Sequence, residues 1–509
     1  MYYTTAPWPK YPSVYEINAR TWIAGLSARA GHPLTLDKVP DEELERLARL
    51  GMHGLWLMGV WTTGSDPLTI AREYPGLQQE YRRALSDFAP QDVVGSPYAV
   101  TDYTVSERLG GPAALASFRE RMQRHGLRLI LDFVCNHTAR DHRYVREHPE
   151  LYIQGTPEDL AREPQNFFRN ADGVVIAHGR DPYFPAWSDT AQLNYGQPAT
   201  REAFRQTMLG ICEQCDGLRC DMAMLILPEP MERLWGGRLG PRPVKESFWR
   251  ESIAALRESY PNALLMAESY WDRGGELQSQ GFHFTYDKTL YDKLRQNDFG
   301  GVKTHLQKDG AFHERCVRFI ENHDEERAAT AFGAAGARGA AVATFFCSGL
   351  RLFHHGQLEG HRIKVPVQLG RSPSESEDVE TALFYEKILG ALQDPLFQEG
   401  RMSLRPVNTG GWSDSSFTSL LAYSWTLPPE QAKSSGNFLG YLVVVNLGGW
   451  RAYGRIPLPA ETFSAGKSFV FYDRFDAKRY ERDGGELAWP GLYVALEAHQ
   501  PHIFEISRK

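Results

Sequence analysis

Leu127-Arg128-Leu129-Ile130-Leu131-Asp132-Phe133 is an apolar β-type run that ends beside a carboxylate and continues into Val134-Cys135-Asn136-His137. A helical pattern over Pro112–His125 precedes it, and Gly126 separates the two. Working outward, the same alternation fills residues 13 to 392. The predicted strands are Ser13–Ile17, Gly54–Met58, Leu127–Phe133, Gly217–Cys220, Ala263–Ala267, Phe282–Tyr286, Arg315–Ile320 and Gly349–His354. Amphipathic helices fall between most of them, among them Asp41–Leu50, Ala199–Gln214 and Glu246–Ser259. Eight strands alternating with helices imply parallel pairing, and their closed form is an α/β fold, the (β/α)8 or TIM barrel.

Two connections are too long to be structureless: 61 to 111, and 138 to 198 with its Pro, Gly, Asp and aromatic residues. The second reads as an inserted small domain. After about residue 396 helical periodicity stops and β-rich runs appear at Leu420–Trp425, Gly440–Asn446, Phe469–Tyr472 and His502–Ile506. They read as a C-terminal antiparallel β-sandwich. The expected division is a barrel of residues 1–137 plus 199–395, an inserted domain B at 138–198 and a β-domain at 396–509.

Composition narrows the function classes. The charge is 56 minus 63, or −7, without long runs of either sign, which gives no electrostatic argument for nucleic acid or an anionic membrane surface. No apolar stretch approaches the roughly 18 residues of a membrane span. The first ten residues show neither a basic nor an apolar signal region, so a cytoplasmic location is the expectation. Cys212 and Cys215 have the spacing of a zinc or redox pair, but no second pair or histidine couple supports that reading, and they count as structural.

Four strand ends carry the chemistry: Leu131 to His137, Gly217-Leu218-Arg219-Cys220-Asp221, Met266-Ala267-Glu268, and Phe319-Ile320-Glu321-Asn322-His323-Asp324. In parallel barrels catalytic groups come from this end of the strands. A carboxylate after one strand is commonly a loop starter; Asp132, Asp221, Glu268 and Asp324 at one face suit glycoside hydrolysis, which needs two carboxyls with different roles. Arg219, two residues before Asp221, projects from the same strand face, and a neighbouring guanidinium would lower the aspartate's pKa. Asp221 then reads as the nucleophile. Glu268 follows an apolar run with no adjacent cation, which suits a proton donor.

These segments, in this order, resemble the signature regions of the α-amylase superfamily of glycoside hydrolases. Gly51–Met58, Gln192-Leu193-Asn194, Gly349–Gly356 and Pro97-Tyr98-Ala99-Val100-Thr101-Asp102-Tyr103 extend the resemblance over essentially the whole chain. It implies Asp221 as nucleophile, Glu268 as acid/base and Asp324 as transition-state stabiliser. Asp132, Arg219, His137 and His323 would surround the cleavage-site sugar, with Tyr98 beneath it. The implied reaction is retaining, on starch, glycogen or maltooligosaccharides as carbohydrate partners, with no required cofactor. Asn136 matches a position that often binds calcium in the family, so calcium is a possible ligand.

Where family members often carry lysine and histidine after the nucleophile, this chain has Met224 and Leu225, which implies apolar acceptor subsites. Ala99 replaces an aspartate that closes the pocket of relatives trimming single glucose units, which implies an open cleft. Trp61, Tyr183, Phe184, Trp187, Tyr195 and Trp271 crowd the predicted mouth; packing accounts for half of such residues, and Trp271 is the expected cleft residue. The alternatives are a transglycosylase or disaccharide isomerase with the same triad and, more remotely, a non-catalytic glucan-binding protein. Substrate linkage, endo or exo action and oligomeric state stay open at this stage.

Overall fold

A computed structural model describes residues 7–240, 247–409, 414–427 and 436–509. The reading of the first residues as lacking a signal, and the Glu246 start of a helix, fall partly or wholly outside them.

Eight parallel strands close a barrel in sequence order: Ser13–Asn18, Gly54–Met58, Arg128–Val134, Gly217–Asp221, Leu264–Ala267, Phe284–Tyr286, Cys316–Arg318 and Leu350–His354. Closure pairs Tyr15 with Leu55 on one side and with Phe353 on the other. The two-residue repeat of the strands separates two cores. Val14, Trp56, Ile130, Met266, Phe284 and Leu352 fill the barrel interior, whereas Tyr15, Leu55, Leu129, Leu131, Leu218 and Leu265 meet the surrounding helices. The helices Asp41–Arg49, Gly111–Arg124, Pro198–Cys212 and Phe248–Ser259 lie where their patterns place them. The seventh strand is shorter than expected, because its ladder to both neighbours ends by Arg318.

The long connections are structured. Trp61–Thr63 pairs antiparallel with Val100–Val105, with two helices, Ser65–Glu73 and Pro75–Ala84, between them. His137–Ala139 pairs with Thr190–Gln192, and Phe167–Arg169 with Val175–Ala177. The C-terminal part holds a six-stranded antiparallel sheet facing the two-stranded pair Ala452–Ile456 and Leu492–Leu496. Leu420, Ala422, Leu442 and Val444 fill the space between the sheets. The alternate residues Leu421, Tyr423 and Trp425 belong to the barrel-side core, where the Tyr423 hydroxyl donates to the Ala343 carbonyl at 2.8 Å and the Trp425 indole to that of Phe346 at 2.9 Å. Among the described residues no helix is long and apolar enough to cross a membrane. All six cysteines, Cys212 and Cys215 included, are buried and free.

Candidate active site

Strand parity aims the fourth strand's Arg219 and Asp221 into the barrel mouth, while Leu218 and Cys220 face the helices. In register, Arg219 lies opposite Asp132 of the third strand and Met266 of the fifth. Its guanidinium is fully buried and serves three carboxylates. Nη1 lies 2.8 Å from Asp221 Oδ1 and 3.5 Å from Asp132 Oδ1, and Nη2 lies 2.8 Å from Glu268 Oε2. The Glu268 contact is ionic rather than a well-aligned hydrogen bond. Trp56, Tyr98 and Tyr286 place their rings 4.9, 5.4 and 5.7 Å from the guanidinium.

This arrangement corrects two expectations. Glu268 does have a neighbouring cation, because parallel register brings Arg219 beside it although the sequence does not. Nor does Arg219 bring Asp221 below the usual range: burial and the charge of Glu268 outweigh the guanidinium and raise its carboxyl well above that range. Burial likewise lifts Asp132, against Arg219's pull, to about 6. One positive charge among three buried carboxylates favours retention of protons within the group. Glu268 is held on both oxygens, with Oε2 accepting from the Met222 backbone at 2.7 Å and Oε1 from the Tyr270 hydroxyl at 2.8 Å. Asp221 Oδ2 accepts no hydrogen bond among the described residues.

On the opposite side His323 lies between two carboxylates, Nδ1 being 2.5 Å from Glu16 Oε1 and Nε2 3.0 Å from Asp324 Oδ2. The Tyr98 hydroxyl is 2.8 Å from the same Nε2, and its ring stacks on the imidazole at 5.5 Å. Burial alone would lower His323, but Asp324 and Glu16 override it and lift the imidazole to about 10. Burial also opposes ionisation of Asp324, yet His323 and Arg219 hold its carboxyl well below the usual range. That carboxylate is 44% open to solvent.

Glu16, fully buried on the first strand, is a site residue the sequence reading did not single out, as is Tyr270. A glutamate two places after Val14, on the inward face of an apolar strand, was the available signal. Its removal has a definite expected result. A raised histidine pKa contributes stability that is fully present below about 6.5 and lost as pH rises through about 10. Glu16→Gln should therefore bring the alkaline loss of thermal stability, and of kcat, down by about one pH unit or more. Coincident alkaline limbs for variant and wild type would exclude this coupling.

The other expected residues separate. His137 is buried beside Trp187, 5.1 Å between ring centres, and desolvation lowers it to about 4, so it offers a neutral ring. Trp271, half-exposed with backbone φ of 55°, packs on Tyr183 at 5.1 Å. Tyr183 and Phe184 are exposed, whereas Trp61 and Tyr195 are core residues. Met224 and Leu225 are also core residues and line no acceptor subsite. Met222 takes a left-handed φ of 44°, which turns Ala223–Ile226 inward, and the Trp249 indole donates to the Ala223 carbonyl at 2.9 Å. Ala99 is fully buried too.

Asn136 does not fit a calcium site. Its backbone and side-chain oxygens both accept from the Gln192 amide, at 2.9 and 3.1 Å, and among the described residues no carboxylate is a partner. Calcium requires six to eight free oxygens. The ligand atoms of Asp287, His313 and Cys316 lie within 4.8 Å of one another, but the Arg318 guanidinium already contacts Asp287 and His313 and supplies the positive charge there.

Residues 41–381 match the family model for the α-amylase catalytic domain. The chain belongs to the α-amylase family. An α-amylase of Haloarcula japonica is 26% identical over 377 residues, covering 71% of this chain and 46% of that protein. A trehalose-6-phosphate hydrolase of Escherichia coli is 27% identical over 289 residues, 49% of this chain and 51% of its own length. This α-amylase family chain thus spans about half the length of the curated relatives it matches. The fold of a maltogenic α-amylase of Thermotoga neapolitana superposes with a TM-score of 0.67, at 18% identity and over 98% of this chain and 99% of that one.

Proposed function

We propose that the protein is a retaining glycoside hydrolase acting on α-glucans (starch, glycogen or maltooligosaccharides). The observation that carries this reading is the single guanidinium, Arg219, in contact with both Asp221 and Glu268. It brings two carboxyls within reach of one glycosidic bond, and retention requires them to lie about 5 to 5.5 Å apart.

In the reactive state the proton retained by the buried group lies on Glu268 and Asp221 is ionised; Glu268 gives that proton to the glycosidic oxygen as the bond to the anomeric carbon breaks. Asp221 Oδ2, which accepts no hydrogen bond among the described residues, attacks that carbon and forms the covalent glycosyl-enzyme. Glu268, now a carboxylate, takes a proton from a water whose oxygen attacks the anomeric carbon; the bond to Asp221 Oδ2 breaks, and the sugar leaves with its configuration retained. Asp324, aligned by the protonated His323, accepts from sugar hydroxyls, and that contact strengthens as positive charge develops on the ring. Asp132 and Arg219 complete the polar wall, Tyr98 supports the ring from below, and His137 supplies a neutral hydrogen-bonding edge. No step requires a metal, and EDTA should leave both turnover and the thermal midpoint unchanged; a loss restored by calcium would contradict that.

Transfer to a sugar hydroxyl in place of water is the second reading. It is favoured by the exposed Tyr183 packed on Trp271, an aromatic face on which an acceptor sugar can stack. Chromatography of products from starch, glycogen, maltooligosaccharides, trehalose and sucrose decides between them. Shorter glucans with the α-anomer appearing first by NMR support hydrolysis with retention. Longer oligomers or an isomerised disaccharide establish transfer, and first release of the β-anomer would refute the mechanism.

A further inference from the structure

A cavity of about 790 Å³ opens between the first barrel helix, Ala19–Ala30, and the hairpin of Trp61–Thr63 with Val100–Val105. None of the proposed catalytic residues lines it. Its size is that of a site for a small organic molecule. One face of the helix points into it at helical spacing, through Arg20, Ile23, Ala24, Ser27 and Ala28. Leu34, Leu68 and Leu109 add apolar wall, and hydroxyls of Thr62, Ser65 and Ser106 interrupt it.

The charge of this lining is one-sided. It contains Arg20, Arg108 and His32, and no aspartate or glutamate. Arg20 spends Nε and Nη1 on the Gly59 and Gly95 carbonyls, at 3.2 and 2.6 Å, which anchors the side chain without neutralising it. Among the described residues its Nη2 has only the Thr63 hydroxyl, at 3.5 Å. Arg108 makes no ion pair among the described residues. Burial, and secondly the charge of Arg108, bring Arg20 down to about 10, so the two guanidinium groups feel one another. Two like charges at a partly dry wall disfavour each other until an anion lies between them. The guanidinium plane binds phosphate, sulfate or carboxylate by paired hydrogen bonds.

We propose that this cavity is a second ligand site, for a small organic anion whose acidic group lies between Arg20 and Arg108 and whose apolar body rests on Ile23, Ala24, Leu34 and Leu109. Neither half alone accounts for the lining: an inorganic anion would leave the apolar wall wet, and a neutral hydrocarbon would leave the guanidinium groups uncompensated. The barrel mouth, with its acidic residues, is a poor competitor for such a ligand.

Titration calorimetry on the whole chain with phenyl phosphate, inorganic phosphate and phenol tests this. Phenyl phosphate should give a saturable one-site isotherm, with inorganic phosphate at least about tenfold weaker and phenol silent. Arg108→Glu, at an exposed position, should weaken phenyl phosphate by about tenfold or more, the scale of a lost charge-assisted bond. Ala24→Trp, which fills the cavity from the helix, should abolish binding, and an unchanged thermal midpoint would show that the chain still folds. Absence of saturation by phenyl phosphate, equal affinity for inorganic phosphate, or undiminished binding by a folded Arg108→Glu protein would each overturn the proposal. Because binding is read as heat and not as turnover, the result stands apart from the proposed hydrolysis.

Discussion

Asp221→Ala is expected to lose turnover on the order of 10⁴-fold or more, the scale seen when a nucleophile is removed, while α-glucan binding persists. No neighbour can replace it: Glu268 has both oxygens held by Met222 and Tyr270, and Asp324 is aligned by His323 on the other side of the cleft. The same substitution should not weaken the fold at neutral pH. The Asp221 carboxyl is raised well above its ordinary value by burial and by Glu268, so its ionisation opposes folding. For such a group the unfolded chain binds fewer protons than the folded one, and stability falls as pH rises from about 4 toward the raised value. Alanine removes that fall. Thermal midpoints should match wild type near pH 4 and equal or exceed it near pH 8, a trade of stability for function. Residual kcat within a hundredfold of wild type, or a variant progressively less stable than wild type as pH rises, would remove Asp221 from its assigned place.

How much of this was legible in the chain depends on range. The eight barrel strands are apolar runs bounded by turns, and each lies within a few residues of its expected position because local pattern and tertiary burial agree there. Arg401–Arg405 and Arg479–Asp483, by contrast, passed unnoticed. They are the outermost strands of the six-stranded sheet, and charged side chains that discourage edge pairing also erase the apolar signal. At the site, residues on one strand could be related, as with Arg219 and Asp221. Relations across strands could not, since register decides them: Arg219 beside Glu268, and Glu16 beside His323 across 307 positions of sequence. Met224 and Leu225 show the opposite failure. Their place after the nucleophile suggested a substrate contact, but the left-handed turn at Met222 sends four apolar residues into the core.

Arg219→Met should be the most destabilising single substitution in the site, and its effect should vary with pH. Methionine fills much of the same space, so packing against Trp56 and Tyr98 changes little beside the loss of charge. What is lost is the only cation within 4 Å of Asp132, Asp221 and Glu268 among the described residues. Removing one partner from a buried ionic group costs about 3 to 5 kcal/mol, because the remaining charge is left uncompensated. Here the carboxyls can escape by staying protonated. Asp132 and Asp221 are already raised with Arg219 present, and without it they rise further. Folded values above unfolded ones mean that stability is retained in acid and lost as pH climbs through the raised values. The gap between variant and wild type should thus be small near pH 4, widen through pH 6 and be greatest near pH 8, as read from denaturant midpoints across that range. A gap independent of pH would mean that Arg219 acts through packing. Arg219→Lys distinguishes the alternatives further: a point charge removes part of the alkaline stability deficit but cannot reach Asp221 and Glu268 together, so stability should recover more than kcat. Recovery of both to wild-type levels would show that the fork linking the two carboxyls, on which the proposed chemistry rests, is dispensable.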